Sequence, residues 1–184
     1  MKKRLSINLK KINFKELPRI SSGSLIVGVY EGPLTEELKI IDEVSGGKLR
    51  KLRKLGELKG KLGQGTYLPV LSGLKAERTY LIGCGKKGKK LSRQDGIKVL
   101  SKLVSAAISS KASTTFISIP KLNISGEGDD WVIQQLAFLC ENNSYTYDAK
   151  LNKKNQKKVL LKRVSLSINS PLSSTKLKRS IKVG

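Results

Sequence analysis

Ser24-Leu25-Ile26-Val27-Gly28-Val29-Tyr30 is a nearly continuous apolar run, bounded by Gly23 before it and by Gly32-Pro33 after it. A segment this short with no polar face has to be covered from both sides, so it reads as a central strand between two layers. Directly downstream, Thr35 is placed to cap a helix whose first turn carries Glu36 and Glu37, with Leu38, Ile41 and Val44 facing inward. The other acids of that helix, Asp42 and Glu43, are read with Glu36 and Glu37 as surface positions. Gly46-Gly47 interrupts the helix, and Lys48 to Leu55 starts a second one that sets Leu49, Leu52 and Leu55 on one side.

Working outward, the same alternation of strand and helix signals continues. Leu5, Ile7 and Leu9 alternate with polar residues near the N-terminus, the period of a half-buried strand and not the unbroken apolar run of a signal peptide. Gly65 to Val70 and Arg78 to Ile82, joined through Ser72-Gly73-Leu74-Lys75, read as an antiparallel pair. Ser92 and Asp95 resemble a capping box ahead of a long helix, to about Ser110, with Ile97, Leu100, Leu103, Val104, Ala107 and Ile108 on its apolar side. Thr114 to Ile119 is rich in β-branched residues and is stopped by Pro120. Asp129 and Asp130 open a helix carrying Trp131, Ile133, Leu136, Leu139 and Cys140, and Val159 to Ile168 closes the domain as a strand. Between them, Tyr145 and Tyr147 read as strand or loop packing, ahead of a basic stretch with Lys150, Lys153, Lys154, Lys157 and Lys158. The expected fold is α/β, a mixed β-sheet flanked by helices on both faces in three layers.

Charge is the most unusual feature of the composition. The 184 residues carry 37 Lys and Arg against 14 Asp and Glu, a formal net charge of +23. Such a surface attracts polyanions through sequence-blind, salt-sensitive phosphate contacts. Lys outnumbers Arg by 29 to 8, whereas bidentate base reading favours Arg, so general lysine richness competes with a selected nucleic-acid surface. The two cysteines, Cys84 and Cys140, stand far apart without a histidine anywhere in the chain, which excludes a zinc site of the usual kind and fits buried, reduced thiols in a cytoplasmic protein. No apolar stretch approaches the roughly 20 residues needed to span a bilayer, so no membrane partner is expected.

Two motifs invite a functional reading. Gly83-Cys84-Gly85-Lys86-Lys87-Gly88 fits the GxGxxG spacing between a strand and a helix, where backbone amides approach a pyrophosphate. It lacks the acidic residue about 20 positions on, since Lys98 to Ser113 contains none. A solvated turn is the stronger reading, with a phosphate-binding loop of Gly83, Gly85, Lys86, Lys87 and Gly88 as the alternative. Lys48, Arg50, Lys51, Arg53 and Lys54 on the second helix are the candidate nucleic-acid contacts, weighed against an ordinary solvated face. Trp131, at helical spacing with Leu136 and Leu139, reads as core in preference to a base-stacking platform. With no histidine and no carboxylate cluster of metal-site quality, the chain offers no catalytic residue and no metal ligand set.

Several stretches together resemble a known family. Val44-Ser45-Gly46-Gly47-Lys48-Leu49, then Leu58-Lys59-Gly60-Lys61-Leu62-Gly63, then Leu74 to Lys86, occur in the order and spacing of the N-terminal domain of leucyl aminopeptidases, the M17 metallopeptidases. Tyr145-Thr146-Tyr147-Asp148 resembles that domain's Tyr-x-Phe-Asp element, and Ser180 to Gly184 the start of its linker helix. The resemblance implies a macro-domain-like fold over residues 1–169 and, over 170–184, the beginning of a linker to an absent catalytic domain. It further implies a cytoplasmic homo-hexameric parent enzyme with two divalent metals, zinc or manganese. Those metals and the catalytic residues would all lie in the C-terminal catalytic domain of the same polypeptide, to which this domain would pack in a structural role. Some members of the family bind DNA, and macro-like folds elsewhere bind ADP-ribose; both stand as alternatives.

Overall fold

A computed structural model describes residues 5–151 and 161–168. The linker expected over 170–184, the lysines at 153, 154, 157 and 158, and the beginning of the last strand at 159–160 lie outside the described residues, as do the side chains of 144–151.

Six strands form one sheet in the order β1-β6-β5-β2-β4-β3. They are β1 (Ser6–Lys11), β2 (Ser24–Glu31), β3 (Gly65–Leu68), β4 (Thr79–Lys86), β5 (Thr114–Ser118) and β6 (Arg163–Ile168). Five are parallel, and the edge strand β3 runs antiparallel to β4. As its composition requires, β2 lies inside the sheet, between β5 and β4, with every residue from Ser24 to Tyr30 buried. Its alternate side chains feed two separate cores. Ile26 and Tyr30 join Ile82, Ile117, Val164 and Leu166 under helices α3 (Arg93–Ser109) and α4 (Asp129–Leu151). Leu25, Val27 and Val29 join Leu81 and Phe116 under α1 (Glu36–Val44), α2 (Lys48–Lys54) and a 3-10 helix at Phe14–Arg19. Period-2 alternation on one strand thus dictates two apolar surfaces, each of which needs a helical layer.

Local chemistry accounts for the helix boundaries. The Thr35 side chain accepts from Leu38 N at 3.4 Å to start α1. The Ser92 hydroxyl accepts from Asp95 N and donates to Asp95 Oδ2, both at 3.0 Å, to start α3. No Gly or Pro interrupts α4, and it continues through Tyr145 and Tyr147, which are helical and not the strand or loop expected from their spacing. Three inward expectations fail: Val44 is 38% exposed, Leu55 63% and Ile97 37%. Each lies at the margin of its stripe, and the α3 stripe is instead completed by Val99. Trp131 is half-buried against the α3–α4 core, with the Arg93 guanidinium 5.3 Å from the ring centroid. On the sheet edge, Tyr67 and Tyr80 face each other across the β3–β4 ladder with ring centroids 4.8 Å apart.

The helix expected to bear four surface acids buries two of them. Asp42 is 2% exposed and Glu37 9%. Asp42 accepts the backbone N–H of Arg50 at 3.0 Å through Oδ1 and pairs with Arg50 Nε through Oδ2, so it clips the start of α2 to the end of α1 across Gly46-Gly47. Glu37 occupies the site described next.

Candidate functional site at the carboxyl edge of the sheet

Neighbouring strands β2 and β5 lead to opposite faces of the sheet, β2 into α1 and β5 into α4. Where adjacent strands diverge in this way, the chain leaves a crevice beyond their carboxyl ends, the usual ligand position in open α/β sheets. A crevice of about 710 Å³ opens there, within the range of roughly 300–1,000 Å³ typical of small-molecule sites. Its walls come from the end of β2, the start of α1, the segment after β5 and the first turn of α4, with Ser167 of β6 also in the lining.

Gly28 makes this geometry available. A Cβ there would stand 2.5 Å from Pro120 Cβ and 2.9 Å from Cys84 Sγ, so only glycine lets the chain beyond β5 settle over β2. The Tyr30 hydroxyl then donates to the Lys121 carbonyl at 2.6 Å and fixes that segment. Burial is the first cause that holds the Tyr30 phenol well above its ordinary range, and the nearby Cys84 and Glu37 add to it. The Cys84 and Cys140 thiols are free and buried, and burial pushes each up to about 12. Both are therefore inert as nucleophiles at neutral pH.

Glu37 brings the one buried carboxyl to the crevice lining. The Ser118 hydroxyl donates to Glu37 Oε1, Ser167 Oγ lies 3.4 Å from Ser118 Oγ, and Ile119 N donates to Ser167 Oγ at 3.0 Å. This polar chain ties α1 to β5 and β6. Burial raises the Glu37 carboxyl from 4.5 to about 7, partly offset by the Ser118 hydrogen bond.

The glycine-rich motif is divided between strand and mouth. Gly83, Gly85 and Lys86 belong to β4, which runs beyond the expected end at Ile82. Gly83 N donates to Gln64 O at 2.7 Å and Gly85 N to Gly60 O at 2.9 Å, so both amides are already engaged. A Cβ at Gly83 would stand 1.9 Å from the Lys61 carbonyl oxygen, which gives the glycine a packing role. The alternative of a phosphate-binding loop thereby loses the Gly83 and Gly85 amides, whose N–H groups are taken by the chain itself. Lys87 and Gly88 do reach the crevice lining, while Lys86 is exposed outside it.

The α2 residues contribute no lining to the crevice. Among the five basic side chains, Arg50 pairs with Asp42 and Arg53 Nη2 donates to Tyr30 O at 2.9 Å. Lys48, Lys51 and Lys54 are exposed. Among the described residues no three or more His, Cys, Asp or Glu side chains come together as a metal-ligand group, and no helix is long and apolar enough to cross a membrane.

A three-layer α/β domain with a parallel sheet, an antiparallel edge and a switch-point crevice is the class these features define. Residues 26–154 match the N-terminal domain of the cytosol aminopeptidase family, and the chain belongs to that family. It is 30% identical over 145 residues to a probable cytosol aminopeptidase of Tolumonas auensis, a match covering 78% of this chain and 29% of that protein. A mutant of tomato leucine aminopeptidase superposes with a TM-score of 0.65 over 97% of this chain and 35% of its own, at 16% identity, and so has the same fold. The chain thus spans about a third or less of the length of these relatives.

Proposed function

We propose that this chain is the non-catalytic N-terminal domain of a leucyl-type metallo-aminopeptidase, with a structural role in packing against a C-terminal catalytic domain of the same polypeptide and in assembling a hexamer in the cytoplasm. The observation that carries this reading is the family match over residues 26–154 in a chain covering only 29% of its aminopeptidase relative. Two divalent metals, zinc or manganese, would activate the water that cleaves the peptide bond. The residues present do not fit such a pair: the chain has no histidine, and the described acids are dispersed. The metals are therefore assigned to the part of the parent enzyme outside this chain. The test is release of chromophore from a leucyl anilide by the purified 184-residue chain in zinc or manganese. No turnover above buffer is expected, and turnover that co-purifies with the chain would refute the assignment.

A second reading, association with the phosphate backbone of DNA, is supported by the exposure of Lys48, Lys51 and Lys54 in a chain of net charge +23. Retention on duplex DNA that falls steeply with salt tests it. Binding insensitive to salt would refute it.

A further inference from the structure

The crevice at the carboxyl edge has a buried acid in its lining. Glu37 sits in the first turn of α1, 9% exposed, in the lining of a cavity of about 710 Å³. Much of the surrounding wall is apolar, supplied by Phe14, Ile119, Pro120, Val132 and Ile133. A carboxylate has about four acceptor positions, and the partner of Glu37 among the described residues is the Ser118 hydroxyl. A buried carboxylate in apolar surroundings is unfavourable without a cation or several donors. The fixed charges nearby do not supply one. Lys87 and Lys121 stand in the crevice lining, but neither acts on the Glu37 carboxyl, which is governed by burial and the Ser118 hydroxyl, whereas the charge of Lys87 acts on Glu36, which Lys39 also holds at 2.7 Å. Asp129 approaches from α4 and is itself acidic, while Tyr30 and Cys84 on the strands beneath are neutral at physiological pH.

We propose that this crevice is a binding site for a small apolar primary amine, with the ammonium received by Glu37 and the hydrocarbon body laid against Phe14, Ile119, Pro120 and Ile133. The geometry selects the charge and polarity of the ligand. A polyanion would place its charge against Glu37, and a neutral hydrocarbon would add no donor to the one that Ser118 gives that carboxyl. An ammonium supplies both the charge and up to three N–H donors in one group. The proposal does not rest on the peptidase reading, because every group it uses is on this chain.

Binding in this way is linked to pH. The Glu37 carboxyl, raised to about 7 by burial, has to ionise to hold the ammonium, and the bound cation then lowers it. Isopentylamine is a suitable probe because an alkyl ammonium stays protonated across this range, as a lysine does, and isopentyl alcohol is its neutral isostere. Calorimetric titration of the 184-residue chain is expected to give heats with the amine and none with the alcohol. Amine affinity should fall about tenfold between about pH 8 and about pH 6, as the ionised fraction of a group titrating near 7 falls. Glu37→Gln should abolish that pH dependence and weaken binding about tenfold or more. A readout that needs no variant is the carbon-13 shift of the Glu37 carboxyl, whose titration midpoint should drop by about one pH unit or more in saturating amine. Equal binding of the alcohol and the amine, an unmoved midpoint, or heats with ADP-ribose in place of the amine would overturn the proposal.

Discussion

Glu37→Gln should change how the stability of this domain depends on pH, and the size of the change follows from the crevice. In the unfolded chain the carboxyl titrates at about 4.5, and in the folded chain burial raises it to about 7. Between these values the native state holds a proton that the unfolded state has lost, so stability falls as pH rises. Below about 4.5 both states are protonated and the stabilising contribution is fully present; above about 7 both are ionised and the loss is complete. At roughly 1.4 kcal/mol per pH unit the loss approaches ~3 kcal/mol, an order-of-magnitude figure for a side chain with 9% of its surface exposed. Glutamine keeps an oxygen for the Ser118 hydroxyl and has no charge to acquire. Urea unfolding of both proteins at intervals from about pH 4 to about pH 8 should therefore give two profiles that diverge by about 3 kcal/mol, the variant becoming relatively more stable as pH rises. All other carboxyls titrate in both proteins and cancel in the difference. Parallel profiles would refute the burial argument and show Glu37 to be solvated.

Asp42→Ala removes the acceptor of the Arg50 N–H and the partner of its guanidinium; denaturant unfolding should show a loss of about 2–4 kcal/mol, and Asp42→Asn, which keeps one oxygen, roughly half of it. Gly83→Ala drives a Cβ into the Lys61 carbonyl at 1.9 Å and should prevent cooperative folding. Gly88→Ala meets open space at φ +75° and should cost about 1–2 kcal/mol, read as a small drop in thermal midpoint. If DNA is bound, replacing Lys48, Lys51 and Lys54 by Glu should flatten the salt dependence of binding in anisotropy titrations by at least the share of those phosphate contacts, about 0.9 per contact.

The extent to which this architecture is legible from residues alone follows the range of the interactions involved. The apolar run of β2, the Thr35 and Ser92 caps and the stop at Pro120 are local signals, and each falls where the sequence places it. Local reading errs where a distant segment decides. The periodicity that marks Leu38 and Ile41 as buried also carries Glu37, one turn before Ile41, and Asp42, one turn after Leu38, to the same side. Acids are assigned to solvent by default because burial normally requires partners, and the partners here, Ser118 and Arg50, lie 81 and 8 residues away. Gly83 and Gly85 carry the same ambiguity. Their spacing suits a phosphate loop, yet the segment from Gly60 to Gln64 lies close against them and takes their N–H groups, a contact that only the assembled sheet creates.

The crevice is harder still to foresee, because no single motif encodes it. It exists because β2 and β5 become neighbours although 82 residues separate the end of one and the start of the other by position, from Glu31 to Thr114, and because the helices that follow them pack on opposite faces. Two sequence details acquire meaning only in that setting. Gly28 looks like an imperfection in a strand until Pro120 is found where its side chain would be. Glu37 looks like a favourable first-turn acid beside a helix N-terminus, but the same position leaves its carboxyl enclosed beside β5, where ionisation is opposed by burial. The helix dipole and the Ser118 hydroxyl favour the charge while desolvation opposes it, and the raised titration point means that desolvation is the larger effect. A side chain held in that balance near neutral pH responds to any cation that enters, whereas a carboxylate already neutralised, like Asp42 against Arg50, has little left to gain.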